Sequence, residues 1–397
     1  MKICIITNEY PPNVTAGSGT ASNTLAKGLT KKGHEVTIIT SLFKTDKRNE
    51  ESKNLKIIRL PIPQSKFLEK FNLVDNRILF GLALRRMRKD FDFSHFDILH
   101  IYDMHVSYFL TKEVLSKVKT IISVNDHYSF ITPWNIFKFP YPTPNLFKRY
   151  IYSNITKILN TYSLRRVEYI FAITEYNKKI VVDYCKIPEQ RVKVIYRGIE
   201  LKRFFNKENK YRSKKIIFIG SNMERKGVSY LLKAMPDILK KYPEASLTII
   251  GRRNQALDRE FKKIIFNLGI GNAVDVKERV PPSEIPNYFA DANVFVLPAI
   301  IEALAVTLLE AMSSQTPVVA TRVGGHEEAI VEGAGILINP RSSEEISNAI
   351  NGILSDSKKA RAMGKNALLV IKQKFPEERM IEEVEKAYQQ ILANKYF

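Results

Sequence analysis

Cysteine is nearly missing from this chain of 397 residues, which holds only Cys4 and Cys185. Two thiols far apart in sequence, one inside an apolar run, give neither a disulfide framework nor a metal-ligand spacing, so a reducing, cytoplasmic compartment is expected. Long hydrophobic runs are lacking too. The one stretch that a hydropathy window flags, 292–312, is broken by Asn293, Pro298, Glu302 and Glu310, and no transmembrane helix is expected. The opening "MKICIIT" meets Asn8, Glu9, Tyr10 and Pro11 with no small-residue cleavage site, which makes it a first strand and not a signal peptide. There is no internal repeat and no low-complexity tract, which excludes repeat arrays. Acid is scarce: 41 Asp and Glu stand against 62 Lys and Arg, and +14 of the net charge of +21 falls within residues 1–200. Such a field attracts polyanions: nucleic acid, an anionic membrane surface or phosphorylated small molecules.

What is present is the composition of a folded protein, 45% hydrophobic and 26% charged. The length suits two domains of roughly 150–200 residues with a cleft. Apolar runs without alternation ("KICIIT", "HEVTIIT", "FDILHIY", "KTIISV", "YIFAIT", then "KKIIFIG", "SLTIIG", "VFVLP", "PVVAT") interleave with helical patterns. That rhythm predicts α/β architecture: two doubly wound parallel sheets covered on both faces, meeting near "GIELKRFFNKENKYRSK". In such sheets ligands sit beyond the carboxyl ends of the strands.

Three post-strand stretches carry chemistry. After the first strand, Gly17, Ser18 and Gly19 precede a helix and suit close backbone approach to a phosphate, or form a plain flexible loop. As a dinucleotide fingerprint the stretch is poor, because Ser22 holds the third glycine position and no acid closes the second strand. In "FIGSNMERKG", Gly220 and Ser221 lead to Glu224, Arg225 and Lys226, a cation pair placed to clamp a diphosphate or to lie in a solvated loop. In "PAIIEALAVTLLEAM", Glu302 falls in the loop after a strand and Glu310 on the following helix, ~12 Å away if wholly helical. A buried carboxylate needs a partner, either a structural salt bridge or the hydroxyls of a ligand. The helix N-terminus near Ala305 and Val306 would offer N–H groups to phosphates between the two acids.

Residues 298–340 resemble the signature of the retaining glycosyltransferases of family 4, with Glu302 and Glu310 as its E-x7-E pair followed by "EAM", "TPVVAT", "VGG" and "GILINP". "EYPPNVTAGSG", "KKGHEVTIIT" and "AITEYNKKIVVDYCKIPEQRVKVIYRGIELKRF" extend the resemblance over almost the whole chain. It implies a GT-B fold, two Rossmann-like domains facing a central cleft: an acceptor-binding domain at 1–200, completed by a C-terminal helix at 377–397, and a nucleotide-sugar domain at 201–376. It implies that Glu310 binds the ribose, Glu302 the donor sugar, and Arg225 with Lys226 the diphosphate. Gly17 to Gly19 would close on the donor, and no metal or other cofactor would be needed. His326, after "VGG", would fall near the donor sugar. His100, Tyr102, His105 and Trp134 would lie on the acceptor side, whereas His34 reads as a turn residue and His95 as a surface one.

The chain departs from the family at several points. Asn125 precedes Asp126 where the family has His before Asp, so a proton-shuttling role is absent or passes to Asp126 or His127. Ser221 stands where many members have Arg, Ala303 and Ala305 replace glycines, and Arg197 replaces an Asn. Alanine keeps its N–H but restricts backbone torsions.

Two segments of the first half, "SKFLEKFNLVDNRILFGLALRRMRKDF" and "WNIFKFPYPTPNLFKRYIYSNITKIL", mix aromatic and cationic side chains, as suits an anionic membrane headgroup region or ordinary core helices with solvated charges. The expected activity is transfer of a hexose-type sugar from a UDP- or GDP-sugar to a hydroxyl of a glycan or lipid-linked acceptor, by a peripheral protein at the inner membrane face. A sugar-nucleotide epimerase of the same fold and a basic nucleic-acid-binding protein are the alternatives. No nucleic-acid motif accompanies the charge.

Overall fold

The computed structural model describes residues 1–12, 14, 17–43, 48–62, 76–126, 146–207, 213–221, 223–251, 255–278 and 280–397. These fall into two compact units, one built from the chain up to Gly198 together with Glu377–Phe397, the other from Ile199–Pro376. Trp134, His127 and the stretches 65–75 and 134–145 of the two aromatic and cationic segments lie outside the described residues.

The first unit carries eight strands: β1 Lys2–Ile6, β2 Glu35–Leu42, β3 Asn49–Ser52, β4 Leu55–Pro61, β5 Ile98–Ile101, β6 Lys119–Val124, β7 Tyr169–Ala172 and β8 Val192–Val194. Their order is β3-β4-β2-β1-β5-β6-β7-β8, and only the edge pair β3–β4 is antiparallel. Successive side chains of β1 enter opposite cores, Cys4 and Ile6 on one face, Ile3 and Ile5 on the other, which is why its sequence shows no polar alternation. The helix Glu377–Leu392 closes the second of these faces with Met380, Ile381, Val384, Tyr388 and Ile391. It lies close against the first helix, Gly17–Lys31, where a Cβ on Gly28 would run into Ile381.

That packing sets the surroundings of the residues expected on the acceptor side. His100 is buried, its Nδ1 meets the Tyr388 hydroxyl at 2.7 Å and its Nε2 the Ser123 hydroxyl at 2.7 Å. Burial pushes its pKa down to about 3, so it is a neutral link between the sheet and the last helix. His105 is likewise buried, with Nδ1 2.8 Å from the Asn160 amide oxygen, and Tyr102 is buried beside His100. These three side chains fill the core because β5 and the turn after it lie inside the sheet. His34 is held by Glu385 at 2.7 Å, and His95 is exposed.

The second unit has six parallel strands: β9 Lys215–Ile219, β10 Ser246–Ile250, β11 Val274–Lys277, β12 Val294–Leu297, β13 Val318–Thr321 and β14 Ile336–Ile338. Their order, β11-β10-β9-β12-β13-β14, steps outward from β9 on one side and resumes at β12 on the other. The carboxyl ends of β9 and β12 therefore flank the point where the winding reverses, which opens a crevice in such sheets. No helix among the described residues is long and apolar enough to cross a membrane.

Tyr388→Phe should lower stability by about 1–2 kcal/mol, because it leaves a buried imidazole nitrogen without its hydroxyl partner. Thermal unfolding of the two proteins side by side reads this, and an unchanged midpoint would show that the link contributes nothing.

Candidate active site

The crevice is built by three loops. After β9 the chain passes Gly220 and Ser221 and enters the helix Val228–Lys241 through Gly227, whose φ is +66°. A Cβ on Gly227 would collide with the Pro298 carbonyl oxygen, so only glycine lets this loop touch the end of β12. The two loops are then stitched together: Ile300 N donates to the Arg225 carbonyl at 2.8 Å and Arg225 Nη1 to the Ile301 carbonyl at 2.8 Å. From β13, Gly324 (φ +56°) passes against the Glu302 carbonyl where a Cβ would not fit, and Gly325 N donates to the Ala303 carbonyl at 2.5 Å.

These contacts hold a buried charge cluster. Glu302 Oε2 lies 3.2 Å from Arg225 Nη1 and 3.0 Å from Lys226 Nζ, while its Oε1 accepts from Ala303 N at 3.2 Å. Glu302 and Lys226 are buried, at 7% and 6% exposure, so this pairing is what makes each charge tolerable. Burial lowers the Lys226 pKa, Glu302 opposes that shift, and the Arg225 charge adds to it. The salt bridge that sequence reading weighed against a ligand role is thus present, and its cations are the two placed for a diphosphate. Two cations sharing one carboxylate leave the trio with a formal charge of +1.

His326 lies behind the cluster. Its Nδ1 donates to the Thr321 carbonyl at 2.9 Å, which leaves a lone pair on Nε2, and that atom has no hydrogen-bond partner among the described residues. Burial pulls its pKa down to about 4, with Glu302 opposing, so the ring stays neutral.

The helix Val306–Ser313 starts at Ala305, which gives no side-chain cap, so its first N–H groups are left for another acceptor. Ala305 has φ −74° and ψ 126°, ordinary extended backbone, and Ala303 has no positive φ; replacing glycine here strains neither torsion. Thr307, in the first turn, has a buried hydroxyl without a partner among the described residues. Sequence reading passed over it, although a hydroxyl inside "LAVTLLEAM" was a visible signal. Glu310, about one turn further along, makes no hydrogen bond or ion pair through its carboxylate among the described residues. Burial raises its pKa to about 7, against a partial offset from Arg203, another residue that sequence reading left aside.

The remaining site residues belong to the first unit. Gly17, Ser18 and Gly19 form the first turn of the helix after β1; Gly19 is packed so that a Cβ would lie 2.9 Å from the Glu9 carbonyl oxygen. Its glycine is thus required by packing. Asn125, after β6, donates from Nδ2 to the Tyr102 carbonyl at 2.9 Å and accepts from Arg197 Nη2 at 3.3 Å. Each end of the amide makes a bond, which fixes its orientation, and the two departures from the family pattern prove to be neighbours. Asp126 follows it, partly buried. Among the described residues no group of three or more His, Cys, Asp or Glu could hold a metal ion.

Comparison with known proteins agrees with this architecture. The family model described as Glycosyltransferase Family 4 matches residues 15–203, and that described as Glycosyl transferases group 1 matches residues 200–369. An uncharacterized glycosyltransferase of Methanocaldococcus jannaschii is 28% identical over 381 residues, 90% of each chain. The GDP-mannose-dependent alpha-(1-6)-phosphatidylinositol monomannoside mannosyltransferase of Mycolicibacterium smegmatis is 28% identical over 157 residues, 38% of this chain and 41% of that protein. In fold, sucrose-phosphate synthase of Thermosynechococcus elongatus superimposes with a TM-score of 0.81 at 20% identity, covering 99% of this chain and 100% of the other. Anabaena HepE, solved in complex with UDP-glucose, gives 0.75 at 14% identity over 98% of this chain and 100% of its own. The fold and the matched models define a glycosyltransferase of the GT-B type. The chain belongs to glycosyltransferase family 4.

Two outcomes follow from the geometry. Glu310 ionises near 4.5 when unfolded and near 7 when folded. Between these values only the folded state keeps the proton, so stability falls as pH rises through the window and the loss is complete above it. Glu310→Gln cannot ionise, so its stability relative to wild type should rise by about 1–3 kcal/mol from pH ~5 to pH ~8 in urea unfolding. A difference independent of pH would show that the carboxyl is not desolvated. Gly227→Ala should cost about 1–3 kcal/mol through its positive φ and the clash with Pro298, read as a lowered unfolding midpoint.

Proposed function

We propose that this glycosyltransferase moves a hexose-type sugar from a UDP- or GDP-sugar to a hydroxyl of a glycan or lipid-linked acceptor at the inner face of the cell membrane, with retention of configuration and without a metal or other cofactor. The observation that carries this reading is the buried trio Glu302, Arg225 and Lys226 beside an uncapped helix N-terminus. Its formal charge of +1 suits a diphosphate, which the helix N–H groups would also meet. Glu302, held by both cations, presents carboxylate lone pairs to sugar hydroxyls. Glu310, with no protein partner among the described residues, is left to accept from ribose hydroxyls. The UDP-glucose of HepE and the GDP-mannose of the mycobacterial enzyme support, by analogy, a sugar linked through a diphosphate.

In the reaction the bond from the anomeric carbon to the diphosphate oxygen breaks, the acceptor oxygen bonds to that carbon on the same face, and the acceptor proton leaves with the nucleoside diphosphate. Arg225 and Lys226 stabilise the charge that grows on the departing group, the task a metal would otherwise perform. Asn125, an amide with both ends engaged, takes no proton.

A thermal-shift screen of nucleoside diphosphates and their sugars tests the donor site. UDP- or GDP-linked ligands should raise the wild-type midpoint and have a much smaller effect on Glu310→Ala; equal shifts, or none in wild type, would sink the assignment. With a turnover assay in hand, Lys226→Ala should lower kcat roughly 10²–10³-fold. EDTA should leave the rate unchanged, and the product should keep the donor's anomeric configuration by NMR.

A further inference from the structure

The helix Leu146–Arg165 of the first unit exposes apolar side chains along its second half. Asn160, Ser163 and Leu164 are buried, with Asn160 Oδ1 bonded to His105 and to the Tyr108 hydroxyl. The outward face holds Ile155, Ile158, Leu159 and Tyr162, exposed by 51%, 68%, 38% and 51%. The spacing i, i+3, i+4, i+7 lines these four side chains into one stripe about 100° wide. Asn160 Oδ1 finds its partners in the core, the Ser163 hydroxyl and Asn160 Nδ2 have none among the described residues, and the apolar stripe faces outward. Single exposed apolar residues are ordinary, but a periodic stripe marks a contact surface.

The stripe runs into a basic groove. Tyr162 is also a wall of a cavity of about 650 Å³ lined by Lys112, Lys117, Lys119, Arg165 and Arg166, with Glu168 its only acid among the described residues. The Arg166 guanidinium lies over the Tyr162 ring, 5.2 Å from its centroid, and Lys157 stands 5.7 Å from the ring centroid of Tyr184, itself half exposed. Arg166 donates to the Ser107 and Leu110 carbonyls at 3.2 and 2.7 Å, which fixes its position without neutralising it. Lys119 and Glu168 pair loosely at 3.7 Å, and Lys117 pairs with Glu113 outside the groove. The groove opens at the amino ends of β6 and β7, because Lys119 begins β6 and Val167 with Glu168 leads into β7. It lies at the opposite end of those strands from Asn125.

We propose that this face, the Ile155–Tyr162 stripe with the Lys112, Lys119, Arg165 and Arg166 groove, docks the protein on an anionic lipid bilayer, the apolar side chains entering the acyl boundary and the cations meeting lipid phosphates. Charge decides between occupants. A second copy would bring the same cations against one another in a chain of net charge +21, and a nucleic acid would leave the isoleucines in water. An anionic bilayer satisfies both halves at once, since each cation near such a surface adds about 1 kcal/mol and the stripe removes apolar area from water. The inference gives a location to the membrane part of the proposed function and is independent of the donor pocket.

The test is flotation of the full chain with phosphatidylcholine vesicles, with and without about a third phosphatidylglycerol, at physiological salt. Wild type should float with the anionic vesicles and fall away from them as salt is raised. Ile158→Ser with Leu159→Ser should lower partitioning about tenfold, and Lys112→Ala with Lys119→Ala about 10–30-fold, from the loss of buried area and of two cations respectively. The substituted side chains lie outside the donor pocket, so nucleotide-sugar thermal shifts on the same samples should be unchanged, which separates a failed docking face from a failed donor assignment. No flotation of wild type, equal flotation with neutral vesicles, or variants that float like wild type would each overturn the proposal. So would concentration-dependent dimerisation in sedimentation velocity that the Ile158 and Leu159 substitutions abolish, because the stripe would then belong to a second copy.

Discussion

One carboxylate organises the second unit. Glu302 sits in a nearly dry loop, where an unpaired anion would cost several kcal/mol, and it is tolerable because Arg225 and Lys226 reach it from a different strand connection. For that reach to be possible the loop after β9 must touch the end of β12, which glycine at 227 permits, and the loop after β13 must pass under Glu302, which glycine at 324 permits. The ion trio is therefore both the reason the three loops converge and the source of the positive charge that a diphosphate would meet. Removing Glu302 would leave Lys226 buried without its carboxylate, and removing either cation would weaken the pairing that keeps Glu302 charged, so structure and chemistry cannot be tuned separately here.

The first unit solves its polar problems by a different route. Its buried histidines are neutral and hydrogen-bonded: His100 to Tyr388 and Ser123, His105 to Asn160. The first of these bonds ties the last helix of the chain to the sheet's centre, so 377–397 is an integral layer of the unit and not a tail. Asn125 and Arg197 form a third polar contact, at the carboxyl end of β6. Each departs from the family pattern, and their proximity gives a physical reason for both. An amide accepts from a guanidinium without adding charge, whereas an imidazole that could protonate beside it would be repelled.

The parallel two-sheet architecture was legible because unbroken apolar runs separated by helices have no other economical packing, and family 4 membership was legible in the ordered set of short motifs. The Arg225 and Lys226 pair and the two glutamates were found by their place after strands, where sheet topology puts ligands. The burial of the acceptor-side histidines was not legible, since a histidine on a strand reads the same whether its ring meets solvent or a tyrosine hundreds of residues away. Thr307 and Arg203 were passed over for a related reason: a hydroxyl in an apolar stretch is visible, but neither its burial nor the target of a long-range charge is written locally.

The sequence by itself determined the period of its hydrophobic pattern, its charge and the order of its motifs, and these are properties of neighbours along the chain. Only the tertiary structure decided which charge meets which. It brought two cations to one glutamate, left Glu310 without a protein partner among the described residues, and turned Asn160 inward and Ile158 outward on the same helix. Pairing and burial depend on distances through space, which strand order sets and residue spacing does not.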